Sequence, residues 1–145
     1  MRFWDSSAIV SLVVAQPGSR EAERWIAEDA RPAIWTLTPV EVASALQRLG
    51  REGALKDTEV REAEVVADEV GRRAHVIADI ERVKALATRL LRVHALRAAD
   101  ALQLGAALAW ADGDPRGMAL HTLDRRLATA AEREGFRVPA IPPAV

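Results

Sequence analysis

Phe3-Trp4-Asp5-Ser6-Ser7-Ala8-Ile9-Val10-Ser11-Leu12-Val13-Val14 sets an apolar pair against one carboxylate and two hydroxyls, then runs on without Gly or Pro. This pattern predicts a buried strand ending at Asp5, a tight turn, and a helix capped by Ser6 or Ser7. In open α/β sheets the reactive crevice lies beyond the carboxyl ends of the strands. An acid delivered there by the first strand marks the place to look for chemistry.

Working outward, the same grammar recurs. Gln16-Pro17-Gly18-Ser19 is a stop and turn, with Ser19 expected to cap a helix over 20–29. Ala33-Ile34-Trp35-Thr36-Leu37 reads as a second buried strand. Thr38-Pro39-Val40-Glu41 opens the next helix: Thr38 as N-cap, Pro39 at N1, and Glu41 at N3 completing a capping box. A connection at 50–53 leads to a highly charged helix over about 55–70. The two helices form a hairpin, at about 38–71, expected to project from the sheet.

His75-Val76-Ile77-Ala78 is a short third strand, and Asp79-Ile80-Glu81 begins another amphipathic helix. The helix from Ala98 is apolar on so many sides, with Gly105 and several Ala for close approach, that it must be buried. Met118-Ala119-Leu120-His121-Thr122 is the fourth strand, with Asp124 opening a helix that Gly135 ends. Phe136-Arg137-Val138 offers a fifth, edge strand. Strands alternating with helices imply a mostly parallel sheet of four to five strands between two helical layers.

Composition bounds the rest. A chain of 145 residues, half of them hydrophobic, is one domain with a single proper core. Aromatics are only 4%, so Ala, Val and Leu must fill that core. With no Cys, disulfides and thiolate metal sites are excluded, which suits a reducing cytosol. Net charge is −1, so no basic surplus announces a nucleic-acid binder, although local Arg clusters matter more than the sum. No apolar run reaches the length of a membrane span. Asp5 and the paired serines break the superficial likeness of residues 2–15 to a signal peptide, and a cytoplasmic location is expected.

Four carboxylates fall where a strand yields to a helix or in a helix's first turn: Asp5, Glu41, Asp100 and Asp124. Each has a structural explanation: a turn residue for Asp5, the capping box for Glu41, a first-turn acid for Asp100, an N-cap for Asp124. In a parallel sheet, however, these helix starts gather on one edge. Two carboxylates about 5 Å apart repel by roughly 3 kcal/mol at an effective dielectric of about 20. Several such pairs call for a cation, and hard oxygen donors suit Mg²⁺ or Mn²⁺. Ser6 and Thr122 lie close enough to support a ligand. Arg125 and Arg126 stand beside the site and could hold a phosphate. His75, His94 and His121 have no metal-ligand spacing.

These pieces, together with Leu96-Arg97-Ala98-Ala99-Asp100-Ala101-Leu102-Gln103-Leu104 and Thr122-Leu123-Asp124-Arg125-Arg126-Leu127, resemble the PIN-domain family. Within it, the likeness is to the ribonuclease toxins of VapBC-type toxin–antitoxin pairs. The resemblance implies a three-layer α/β/α domain and a Mg²⁺- or Mn²⁺-dependent endoribonuclease. It also implies a homodimer and a cognate antitoxin whose tail fills the active-site groove. It assigns metal-site roles to Asp5, Glu41, Asp100 and Asp124, and supporting hydroxyls to Ser6 and Thr122. The alternative is a catalytically silent RNA- or protein-binding module of the same fold. An aspartate-nucleophile phosphatase would want an acid at position 7, where Ser7 stands. A receiver-like domain would want a Lys at the last strand, and the only lysines are Lys56 and Lys84.

Overall fold

Phe3 and Trp4 are both fully buried, yet they enter different cores. Successive strand residues point to opposite faces, so a strand with two apolar neighbours must be covered on both sides. The computed structural model describes residues 1–143. It contains β1 (Phe3–Trp4), α1 (Ser6–Val13), α2 (Ser19–Glu28), β2 (Ala33–Trp35), α3 (Thr38–Arg51) and α4 (Asp57–Arg73). There follow β3 (His75–Ile77), α5 (Ile80–Val93), α6 (Ala98–Trp110), β4 (Leu120–His121) and α7 (Arg125–Glu134).

The sheet is parallel throughout, in the order β3-β2-β1-β4. Phe3 pairs with Ala33 on one side and Leu120 on the other. On one face Phe3, Ala33, Trp35 and Leu120 pack with α5, α6 and α7. On the other, Trp4 and Ile34 pack with α1, α2, α3 and α4. This is the expected three-layer α/β/α arrangement. The α3–α4 hairpin buries Val42, Leu46, Val60 and Ala63 in that second core, while its charged outer side faces solvent.

The expected fifth strand reduces to one parallel bridge, Ala119 to Arg137. Leu120 N–H donates to the Arg137 carbonyl at 3.0 Å, and Arg137 N–H to that of Met118 at 2.9 Å. Pro139 lies two residues on and has no N–H to extend the ladder.

Three expected caps are corrected. Asp5, rather than Ser6 or Ser7, caps α1: it has extended backbone, and its side chain accepts from Ala8 N–H. Gly18, at φ 98°, precedes α2, and Ser19 is already helical; its hydroxyl accepts from Gln16 N–H and donates to the Val14 carbonyl. Thr38 is not a cap either, because Leu37 before it is itself helical in φ/ψ. The Thr38–Glu41 capping box therefore does not form, which leaves both side chains free for other partners. α6 is as buried as its composition demands, with Ala101 and the whole run from Gln103 to Leu108 inside. Among the described residues, no helix is long and apolar enough to cross a membrane.

Candidate active site

β1 has β2 on one side and β4 on the other, so chain direction across the sheet reverses between β1 and β4. Such a switch point opens a crevice at the carboxyl ends of the two strands. Asp5 stands at the end of β1, its N–H donating to the His121 carbonyl of β4 at 3.1 Å. Beneath the crevice the residue is only 3% exposed. Oδ1 accepts from the Ser7 hydroxyl at 2.7 Å and from Ala8 N–H at 3.1 Å. Oδ2 accepts from the Thr122 hydroxyl at 2.8 Å.

Thr122 and Ser7 also knit the loop after β4 to α1. Asp124 N–H donates to the Thr122 hydroxyl at 3.0 Å, and Leu123 N–H to that of Ser7 at 2.8 Å. Asp124 caps α7, Oδ1 accepting from Leu127 N–H at 2.9 Å. Its capping role is therefore real, but one carboxylate oxygen remains available.

Glu41 projects from the first turn of α3. Oε2 accepts from the Ser6 hydroxyl at 2.9 Å, and Oε1 from the Gln103 amide at 3.1 Å. Asp100, in the first turn of α6, is half-buried on the same rim. Glu41, Asp100 and Asp124 all line one open cleft of about 1130 Å³, shared with Ser6, Ser7, Arg48, Arg97, Arg125 and Arg126.

The charges in this cleft are mutually uncomfortable. Burial pushes the Asp5 carboxyl up from 3.8 to about 7; three donors oppose this and the charge of Asp124 adds to it. Burial also raises Glu41, against the bonds from Ser6 and Gln103, and Asp100 raises it further by repulsion. Asp100 is raised by burial and then by Asp124, with Arg97 and Arg126 pulling the other way. Repulsion thus links Asp5 to Asp124, Asp124 to Asp100, and Asp100 to Glu41. Four acids from four helix starts form one chain of like charge.

The PIN domain family profile matches residues 2–133. The chain belongs to the PIN domain family. It is 36% identical over 137 residues to two proteins of Mycobacterium tuberculosis strains, named Ribonuclease VapC45 and Ribonuclease VapC49. Those alignments span 94% of this chain and 92% of each relative.

The acid rim of this PIN domain can be tested against a divalent ion by its donor chemistry. Among the described residues, no three Asp, Glu or His side chains are arranged to hold an ion unaided. The rim offers carboxylates and hydroxyls, hard oxygen donors of the kind that suit Mg²⁺ or Mn²⁺, which keep several waters and leave positions for substrate phosphate. The raised carboxyls fit as well, because a nearby cation would favour the charged forms that burial, and to a lesser degree mutual repulsion, now disfavour.

Two side chains at the rim carry contacts that sequence reasoning did not anticipate. Ser7 holds both Asp5 and Leu123, whereas only a cap was expected of it. Gln103 holds Glu41 and Thr38, and its signal was an amide in an otherwise apolar helix, one turn after Asp100. The arginines divide. Arg126 acts on Asp100 by its charge, while Arg125 donates to the Pro142 carbonyl at 3.0 Å. Of the histidines, His121 is buried and stacked on Trp25 at 4.2 Å, its pKa lowered to about 3 chiefly by desolvation. His94 pairs with Glu134 at 2.7 Å.

Proposed function

We propose that this chain is a divalent-metal-dependent endoribonuclease, the toxin of a toxin–antitoxin pair. The observation that carries the reading is the convergence of Glu41, Asp100 and Asp124 on one cleft at the sheet's switch point, with Asp5 directly beneath. Membership of the PIN domain family and relatives named as VapC ribonucleases supply the substrate class. A silent binding module would leave four mutually repelling acids without a purpose.

In this reading Asp5, Glu41, Asp100 and Asp124 hold Mg²⁺ or Mn²⁺. Bound there, the ion would supply an acidified water as nucleophile and offset charge on the phosphate as the P–O bond breaks. The protein's own groups do the positioning. Thr122 and Ser7 fix the Asp5 carboxylate from two sides, and Ser6 fixes that of Glu41. Arg126, Arg97 and, from the margin, Arg125 offer guanidinium groups to RNA phosphates on the walls of the cleft.

The partners follow from the same reading. A cognate antitoxin would occupy the cleft in place of RNA, in the cytoplasm, and two copies of the chain would associate. Self-association would use exposed apolar residues on the helices, such as Val65, Val66, Leu91 and Val93. Sedimentation at micromolar concentration reads that state directly.

The deciding experiment incubates labelled RNA with the protein in Mg²⁺ or Mn²⁺, with and without EDTA, beside Asp5→Asn. Internal cleavage that needs the metal and vanishes in the variant is expected. RNA binding without cleavage under every metal condition would instead make the domain a silent module.

A further inference from the structure

We infer that Gln103 is a positioning residue, which sets the Glu41 carboxylate toward the cleft without neutralising it. The inference rests on the ribonuclease reading above, but it starts from an anomaly in the core. Gln103 is 1% exposed and sits in α6 among Ala, Leu and Gly. Its Nε2 donates to the Thr38 hydroxyl at 3.0 Å and to Glu41 Oε1 at 3.1 Å, which uses both amide hydrogens. The opposite amide orientation would set its oxygen against a carboxylate oxygen, so the contacts fix the direction. Its own Oε1 is buried with no partner in the protein.

Stability alone does not account for that arrangement. A buried acceptor left unmade is costly, and Leu or Met would fill the same volume while leaving only the Thr38 hydroxyl without its partner. What only the amide does is reach the first turn of α3. There it meets the bond from Ser6 of α1 on the other carboxylate oxygen. Glu41 is thus gripped by two neutral donors from two helices. An Arg or Lys at position 103 would grip it too, but would cancel the charge that a cation needs. α6 also carries Asp100 three residues earlier, on the same face. One helix therefore contributes an acid of the rim and the group that orients its neighbour.

The test uses Gln103→Met and Gln103→Leu in the full chain, with Gln47→Met as a control on the exposed side of α3. Mn²⁺ alone is the binding probe, followed by calorimetry, and RNA cleavage is measured separately. Loss of a group that orients a metal ligand typically costs about 10- to 100-fold in metal affinity or activity. We expect a fall of that size in Mn²⁺ affinity and in kcat, with KM for RNA little changed; the melting temperature should fall as well, because the buried Thr38 hydroxyl loses its partner, so affinity and kcat are read on folded protein. In a Glu41→Gln background, adding Gln103→Met should produce no further loss of Mn²⁺ affinity, because the residue acts through Glu41. Met and Leu fill the space differently, so one folded variant is enough to decide. Unchanged Mn²⁺ affinity and kcat in a folded variant, or a loss that persists in the Glu41→Gln background, would overturn the inference. A wild-type protein that binds Mn²⁺ but never cleaves RNA would sink the ribonuclease reading instead, and leave the Mn²⁺ comparison to judge Gln103.

Discussion

The Thr122 hydroxyl donates to Oδ2 of Asp5 at 2.8 Å, tying the end of the last strand to the end of the first. The same hydroxyl accepts from Asp124 N–H at 3.0 Å, so one small side chain orders two acids of the rim at once. Both partners lie at the switch point, where β1 and β4 run side by side. The hydroxyl's position is set by backbone pairing, and it passes that precision to the carboxylates.

Thr122→Val keeps the shape and removes both bonds. A buried donor and acceptor left unpaired cost about 1–3 kcal/mol each in the worst case, so a clear drop in melting temperature is expected. Cleavage should fall roughly 10- to 100-fold beyond any loss of folded protein. Thr122→Ser, which retains the hydroxyl, should stay close to wild type in both respects. Equal activity in the Val and Ser variants would remove Thr122 from the site.

Asp5→Asn tests the electrostatics of the buried acid. Burial holds the folded Asp5 carboxyl near 7 against an ordinary 3.8, so between those values the folded chain keeps a proton that the unfolded chain has lost. Its contribution is therefore full below about pH 4 and declines as pH rises to about 7. His121 runs the other way: with its pKa near 3 instead of 6.5, its contribution is lost as pH falls through that range. The comparison must therefore be between variants. From pH 5 to 7.5, Asp5→Asn should gain melting temperature relative to wild type. Mg²⁺ should raise the wild-type value more at pH 7.5 than at 5, since binding displaces the proton. A pH-independent difference between the two proteins would contradict the buried-acid account.

Much of this was visible in the residues themselves. An apolar pair followed by Asp5, and an apolar strand followed by Asp124, place acids at strand ends by pattern alone. α6 announced its burial because no polar stripe interrupts it. Glu41 was harder: Thr38 and Glu41 have the spacing of a capping box, but Leu37 turns helical one residue early and frees both. The contacts made by Gln103 and Ser7 were out of reach. Their partners lie 62 and 116 residues away, at Glu41 and Leu123, and local propensity carries no information about such meetings.

Gly105 marks where α6 crosses α5. A Cβ there would stand 3.0 Å from the Val83 carbonyl oxygen and 3.2 Å from Ala87 N, both backbone atoms that cannot swing aside. Gly105→Ala should therefore destabilise despite its better helix propensity, by about 1–3 kcal/mol for a forced shift of packed elements. Thermal melting should show a loss of several degrees, with cleavage preserved at low temperature. A rise in melting temperature would mean that the two helices separate more easily than their packing indicates.

Arg126 and Arg125 are neighbours in sequence with different surroundings, which permits a paired comparison. Arg126 lowers the pKa of Asp100 by its charge and lines the cleft, whereas Arg125 commits a guanidinium nitrogen to the Pro142 carbonyl at 3.0 Å. If Arg126 meets an RNA phosphate, Arg126→Ala should weaken binding of RNA to the Asp5→Asn protein. It should also reduce the slope of log affinity against log salt by about 1. Arg125→Ala should change both less. In the active protein, loss of Arg126 removes a cation beside Asp100, so the carboxyl rises further and the acidic limb of the rate profile moves to higher pH. Fluorescence anisotropy across a salt series reads the first effect and initial rates across pH the second. Identical salt slopes in the Asp5→Asn protein with and without Arg126→Ala would move the phosphate contact elsewhere on the cleft wall.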